Sequence, residues 1–580
     1  MKMITATRAP LNRCWLGLTA VLLAISSPLL GQTYEQLAPK PVPSPSPLVP
    51  SQPAPPPPAA KPANPDFVLV PRLTGLRLVA SKEQVSPQAL TPGNPIVIDG
   101  LPWLDQARVE ATAKPFLDRP LTRKDLIELI RLLVLDSRKL NRPVVDIYAP
   151  PQDVSNGVVQ LVVVVGRLGK VIVEGNQWFA GNLFTRDIRV KPGQEIEGKQ
   201  LLEDMDLINQ NPFRQVDLVY SRGEQFGLTN VVLRVQDKLP DRVYVGYDDE
   251  GNESTGLGRV FAGINMGNVF GDDQQFSYQY ERSTDFSLFQ AQSASYTVPL
   301  PWRNSVEVFG DWAQAKTEPD GGLFGLTGTN WDLGLRYLIP LPMGGVSYTQ
   351  SLNLGADYKW SNNNLDFGGT QVFTSPINVA QGVLGYTGVL IDADGSTQGS
   401  VTGFFSPGGI GGLNHDKDFA IQREGAPADY SYYQASLTRV QKLPEGYTLV
   451  LTALGQWSSN RMVPDNEFGL GGANSVRGYD DRIVNGDDGI SGQLELRTPP
   501  HHYLKSIPDS TQFLVFVDAG RDWINNPGAG EANYTLSSAG PGLRMNVGTH
   551  GAFKVDYGYQ LQRFPGTRHG RLHVSAILSF

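Results

Sequence analysis

The chain is almost without thiols: of 580 residues, only Cys14 is a cysteine. One thiol closes no internal disulfide and builds no Cys-based zinc site. Charge is scarce too, with Asp, Glu, Lys and Arg at 18% of the chain, against roughly 25% in an average soluble protein. What charge there is leans acidic, to a net of -8. No global basic field is present to attract a phosphate backbone, so nucleic acid is not an expected partner. Beyond the leader, no apolar run reaches the about 18 residues of a membrane-spanning helix. Any membrane span has to be made by a closed barrel.

Catalytic devices are missing as well. There is no G-x-S-x-G elbow and no H-E-x-x-H helix. Gly193, Gly198 and Lys199 have P-loop spacing, but Gln200 stands where a magnesium-binding hydroxyl belongs, and Glu195 and Glu197 would repel phosphates. The stretch reads as a Pro-Gly turn entering a helix. The adjacent His501 and His502 face opposite sides of any strand and cannot form a shared metal site there. No enzyme activity, cofactor or metal is expected.

Glycine, proline and aromatic residues are plentiful, at 62 Gly, 44 Pro, 24 Phe, 21 Tyr and 9 Trp. This mixture favours strands and turns over helices. Lys2, Arg8 and Arg13 lead into an apolar run from Trp15 to Leu30, the layout of a secretory signal peptide over residues 1–31. Residues 32–66 read as a Pro-rich linker, because 13 of the 27 residues from Pro39 to Pro65 are proline. Proline cannot continue a helix, so this linker is expected to be a tether rather than a plug.

Residues 67–167 and 168–239 read as two small α+β modules. In the first, Thr122 and Asp125 make a capping box before LIELIRLLVLDSRKL, and the strand-like runs VVDIY and VVQLVVVV follow. The second opens on KVIVEGN, passes a helix near Glu197–Asn211 and closes on VDLVY and NVVLRV. From 240 to 580 no helix signal is convincing, and short runs alternate instead. Phe276, Tyr278 and Tyr280 oppose Ser277 and Gln279; Leu572, Val574, Ala576 and Leu578 oppose His573 and Ser575. About 16 such runs, of about ten residues each, fit a transmembrane barrel of antiparallel strands with lipid outside and water inside. A soluble sandwich also alternates, but the leader and an aromatic final strand ending on Phe580 favour the membrane.

One constellation stands out in the last third. Glu467–Arg482 is Gly-rich and carries Val476, Arg477, Gly478 and Tyr479. In Gln512–Trp523, Phe516, Asp518 and Gly520 share one face, while Phe513, Val515 and Val517 share the other, which suits lipid. Asp518 then faces the lumen, where Arg477 is a candidate partner. The residues alone equally allow Arg477 to sit in a solvated outer loop, with Asp518 meeting only water. If the two pair, lumenal water is expected to screen them, leaving a positional role.

Val476-Arg477-Gly478-Tyr479 resembles the loop motif of the BamA-type superfamily, and Phe516-x-Asp518-x-Gly520 resembles that superfamily's strand motif. The segment Tyr148–Asn176 is similar to the junction of two POTRA modules in two-partner secretion transporters (TpsB, the ShlB/FhaC/HecB family). Pro151, Gln152, Asp153, Gly157, Gly166 and Arg167 carry that likeness. The resemblance implies POTRA1 over 67–167, POTRA2 over 168–239 and a barrel over 240–580, with the loop Arg pairing the strand Asp. It implies an outer-membrane protein with periplasmic modules that capture an unfolded secreted exoprotein (TpsA-like) and pass it through the lumen. Further partners would be outer-membrane lipid and the barrel-assembly machinery, for which Phe580 is the C-terminal signal. A BamA-type assembly factor is the alternative. Two departures are visible: only seven residues lie between Gly31 and the Pro-rich stretch, where many members carry a plug helix, and POTRA1 has a Pro-rich insert around Val85–Pro102.

Overall fold

The computed structural model describes residues 37–43, 64–90, 94–252, 255–317, 324–345, 347–367, 370–504 and 507–580. The leader and most of the Pro-rich linker lie outside the described residues.

In the first module the helix Arg123–Lys139 starts where its capping box dictates. The Asp125 N–H donates to the Thr122 hydroxyl at 3.1 Å, and the Thr122 N–H donates to the Asp125 carboxylate at 3.2 Å. Leu129 and Leu133 recur at helical spacing and are buried against the sheet. That sheet runs in the order Ile96–Asp99, Gly75–Val79, Val158–Val165, Val145–Tyr148. Val158–Val165 is almost wholly apolar because it is an inner strand. The Pro-rich insert is not only loop: Ile96–Asp99 within it pairs parallel with Gly75–Val79 and forms one edge of the sheet.

Gly166 alone separates this sheet from the next. The second sheet runs Arg167–Glu174, Leu228–Asp237, Arg214–Arg222, backed by the helices Gly181–Thr185 and Gly198–Ile208.

From Asp241 onward, 16 antiparallel strands among the described residues close into a barrel. The first, Asp241–Asp248, pairs with the last, Gly570–Ser579, from Tyr244 opposite Ser579 to Asp248 opposite Ser575. Alternation decides what faces where. Phe513, Val515 and Val517 are exposed on the outside, while Phe516 and Asp518 are buried inside. Trp312 lies opposite Trp331, and Trp331 opposite Trp360, forming an aromatic row on the outer face. Such a row suits a membrane interface. The absence of helix expected beyond Asp241 needs correction: the long outer loop 408–428 holds the helix Asp416–Gln422, whose Phe419 is buried. Its seven residues are too few for a clear apolar period.

The second module is docked on the turns at the near rim. Arg214 lies between the rings of Phe179 and Phe184, 5.0 and 5.1 Å from their centroids, and forks Asp273 through two contacts of 2.8 Å. Arg303 reaches Asp204 at 2.8 Å, and the Met343 N–H donates to Glu203 at 3.1 Å.

Candidate functional site

The loop of residues 459–487 leaves the far rim and turns back into the barrel. Its apolar residues account for the direction: Leu470, Val476, Tyr479 and Val484 are buried against Leu536 of the wall. At the tip Gly478 has a φ of 91°, and its backbone presses on Gly558. A Cβ on Gly558 would lie 2.4 Å from the Gly478 nitrogen, so the approach needs glycine on the wall. The Gly478 N–H donates to His573 Nε2 at 3.0 Å, and Gln560 Nε2 donates to the Gly478 carbonyl at 2.8 Å. The Tyr479 hydroxyl donates to the Ser537 carbonyl at 2.9 Å.

These contacts seat Arg477. Its Nε and Nη2 fork the Asp518 carboxylate, each at 2.7 Å, and its backbone N–H adds a third bond at 3.0 Å. Nη1 donates to Glu495 at 2.6 Å and to Asp556 at 3.4 Å. The guanidinium stacks 3.5 Å from the centroid of the Phe516 ring. Arg497 Nε donates to Glu495 at 2.8 Å and Arg544 Nη1 to Asp556 at 2.6 Å. Three guanidiniums therefore meet three carboxylates. The expectation that lumenal water screens the pair is wrong, because the side chains of Arg477 and Asp518 are 1% and 0% exposed. The returning loop itself excludes the water. In such a setting the charge-assisted bonds are strong and an unmatched charge is costly.

The structure thus brings Val476, Arg477, Gly478, Tyr479, Phe516, Asp518 and Gly520 to one place. Gly520 gives room for the loop, since a Cβ there would lie 2.4 Å from Leu470 Cδ1. Glu495, Asp556, Arg497, Arg544 and His573 were not singled out in the sequence. Alternation marks each as inward-facing, but no local signal says which strands reach the loop tip.

The outer loops are tied across the far mouth. Buried Asp487 accepts from Arg423 Nη1 at 2.5 Å, from the Met462 N–H at 2.6 Å and from the Asn525 N–H at 2.7 Å. Arg461 forks Glu531 at 2.6 and 2.8 Å. The hydrogen bonds from Arg461 hold the Glu531 carboxyl down at about 2.

The other residues singled out in the sequence lie elsewhere. Gln152 pairs with the backbone of Gln160 like a substitute strand: its Oε1 accepts the Gln160 N–H and its Nε2 donates to the Gln160 carbonyl, both at 2.7 Å. Asp153, one residue past that clamp and two past Pro151, accepts the Ser155 N–H at 2.9 Å, which holds its carboxyl below the usual range. Gly166 packs on Val144, where a Cβ would lie 2.9 Å from Val144 Cγ1. Arg167 Nη1 donates to the Gly193 carbonyl at 3.2 Å. Phe580 sits at the barrel closure, its N–H donating to the Val243 carbonyl at 2.9 Å.

Part of the linker occupies the lumen. Ser293 Oγ donates to the Leu37 carbonyl at 2.5 Å, the Lys40 N–H donates to the Tyr244 hydroxyl at 3.0 Å, and Arg242 donates to the Pro41 carbonyl at 3.1 Å. Leu37 packs on Phe289, Ala291, Ala313 and Ala315, and Val42 joins the core of the second module. At residues 37–43 the expected free tether is instead a strap packed along the inner wall. No local pattern announces this, because the partners lie on strands more than 200 residues away.

Comparison with known proteins decides the family. The model of haemolysin secretion/activation proteins ShlB/FhaC/HecB matches residues 227–545, and that of the ShlB-type POTRA domain matches 92–166. The chain belongs to the ShlB/FhaC/HecB family. Among its relatives, the heme/hemopexin transporter protein HuxB of Haemophilus influenzae is 22% identical over 446 residues, 75% of this chain and 77% of that one. The outer membrane transporter CdiB of Escherichia coli is 22% identical over 404 residues, 68% of this chain and 66% of that one. The solved structure of CdiB from Escherichia coli superposes with a TM-score of 0.70 at 17% identity, covering 100% of both chains. CdiB from Acinetobacter baumannii gives 0.60 at 17% identity, over 98% and 97%. As in this family, the barrel lies in the outer membrane and the POTRA modules in the periplasm. The near rim is then periplasmic and the tied loops are extracellular.

Proposed function

We propose that this protein moves an unfolded, secreted partner protein from the periplasm through the barrel lumen to the cell surface. The observation that carries this reading is the docking of POTRA2 under the periplasmic mouth, through Arg214–Asp273 and Arg303–Asp204. A plain solute pore has no use for such a delivery platform.

Capture falls to the sheet edges. Among the described residues, Arg214–Arg222 pairs only with Leu228–Asp237, and Ile96–Asp99 only with Gly75–Val79. An extended client can add a strand to such an edge, with main-chain bonds giving affinity for varied sequences. Outward folding of the client then makes net movement favourable without a nucleotide or a catalytic step. The buried Arg477 network fixes the returning loop, so it acts as a fixed wall of the path rather than as a binding residue. Outer-membrane lipid and the barrel-assembly machinery complete the partners, with Phe580 as the terminal signal. A BamA-type assembly role is the second reading, through the shared loop and strand motifs, but the match to the secretion family disfavours it.

The test is reconstitution. The protein goes into liposomes with POTRA modules outward, and an exoprotein encoded beside its gene is added unfolded. Protease protection of the exoprotein is the expected result; protection equal to that of empty liposomes would overturn the reading.

A further inference from the structure

The loop Asn176–Phe179 of POTRA2 is built rather than slack. The Asp237 carboxylate accepts the N–H groups of Gln177 at 3.0 Å, Trp178 at 2.8 Å and Phe179 at 3.0 Å. Asn176 Nδ2 donates to the Phe179 carbonyl at 2.9 Å. Phe179 turns inward beneath Arg214 and is 2% exposed, whereas Trp178 is left 50% exposed. The core position beside it is filled, so the indole cannot fold back into the module.

The place where Trp178 is displayed is informative. Asp237 stands four residues before Asp241, the first residue of the barrel. In between, Leu239 is 50% exposed. Val243 follows on the lipid face of the first strand, also exposed, and its neighbour across the closure is Phe580, 77% exposed. The inward residues of the same strand, Arg242 and Tyr244, are buried against the linker. Exposed apolar side chains therefore follow one another from the Asp237-anchored loop of POTRA2 through Leu239 to Val243 and Phe580 on the lipid-facing wall.

We propose that Trp178, with Leu239 and Phe580, inserts into the periplasmic leaflet of the outer membrane, making POTRA2 a membrane-contacting module at the barrel closure. An indole suits the headgroup boundary because one edge is polar and the rest apolar. The Asp237 clamp sets its height, and the Arg214–Asp273 and Arg303–Asp204 ion pairs between the module and the rim turns prevent the module from tilting away. This rests only on the membrane placement of the barrel and stands apart from the secretion reading.

The test uses the full chain in phosphatidylethanolamine nanodiscs, with and without acyl chains brominated near the headgroup. Wild-type emission minus that of Trp178→Phe isolates one indole among the 9 tryptophans. The expected result is loss of most of this difference emission in the brominated discs. Unchanged emission would overturn the proposal. So would emission that ignores bromine but shifts on adding reduced, carboxymethylated α-lactalbumin, since the patch would then be a client site.

Discussion

Asp518 accepts three hydrogen bonds from Arg477, two from the guanidinium and one from the backbone N–H of the same residue. The contact therefore fixes loop backbone and side chain together. Removing Arg477 leaves Asp518 a buried unpaired charge, at a cost of about 3–5 kcal/mol, whereas removing Asp518 leaves Arg477 with only Glu495 and Asp556. Arg477→Ala and Asp518→Ala are each expected to lower the heat-modifiability midpoint of the barrel and to impair secretion. Arg477→Lys keeps the charge but loses the fork, and will rescue only partly. The double Ala variant is expected to be less impaired than the sum of the two; full additivity would refute direct coupling.

Arg214→Ala leaves the buried Asp273 without its fork, and opens the space between Phe179 and Phe184. POTRA2 is expected to swing on the Lys238–Pro240 link. Electron–electron distance measurements between labels on POTRA2 and on a periplasmic turn will show a broadened distribution, where the wild type gives a narrow one.

The strap at residues 37–43 places Lys40 beside Asp248 at 3.7 Å. Lys40→Glu would set a carboxylate against Asp248, Glu250 and Glu281, the acids whose field acts on this site. Repulsion is expected to release the strap and raise single-channel conductance in planar bilayers. Unchanged conductance would show that the strap does not restrict the lumen.

The Arg461–Glu531 contact joins two extracellular loops, and it is pH-sensitive in a defined sense. The carboxyl is held at about 2 against an ordinary value of 4.5. A depressed carboxyl contributes stability that is complete above its ordinary value and is lost as the pH falls toward the depressed one. Protease nicking of the loop 524–534 is expected to rise as the pH drops from about 4.5 to 2, using an acid-active protease. Glu531→Gln removes that step: it is nicked more than the wild type near neutral pH, and the two converge toward about pH 2.

The barrel was legible because alternation is a local property: Phe513, Val515 and Val517 against Phe516 and Asp518 state the two faces outright. The helix Arg123–Lys139 was legible for the same reason, through its capping box and spacing. The Arg477–Asp518 contact was half legible from the residues: alternation turned Asp518 inward, and only the resemblance implied that the loop Arg returns to pair with it. What decides it is the burial of Leu470, Val476 and Tyr479 together with room at Gly558 and Gly520, none of which can be read from one segment. Glu495, Asp556 and Arg544 stayed hidden because only the register between neighbouring strands brings them under the loop tip. The strap at Leu37–Pro43 stayed hidden because proline content reports stiffness and not location.

Passage of the client through the lumen is the central claim, and a photo-crosslinker tests it most directly. Gln434 lines a lumenal cavity of about 380 Å³ together with Ser400, Tyr432 and Gln456, while Leu437 on the same strand faces lipid and is 40% exposed. With benzoylphenylalanine at either position and the exoprotein in transit, the expected result is a crosslink from position 434 and none from position 437. Crosslinks from 437 alone, or from neither while secretion proceeds, would contradict the account.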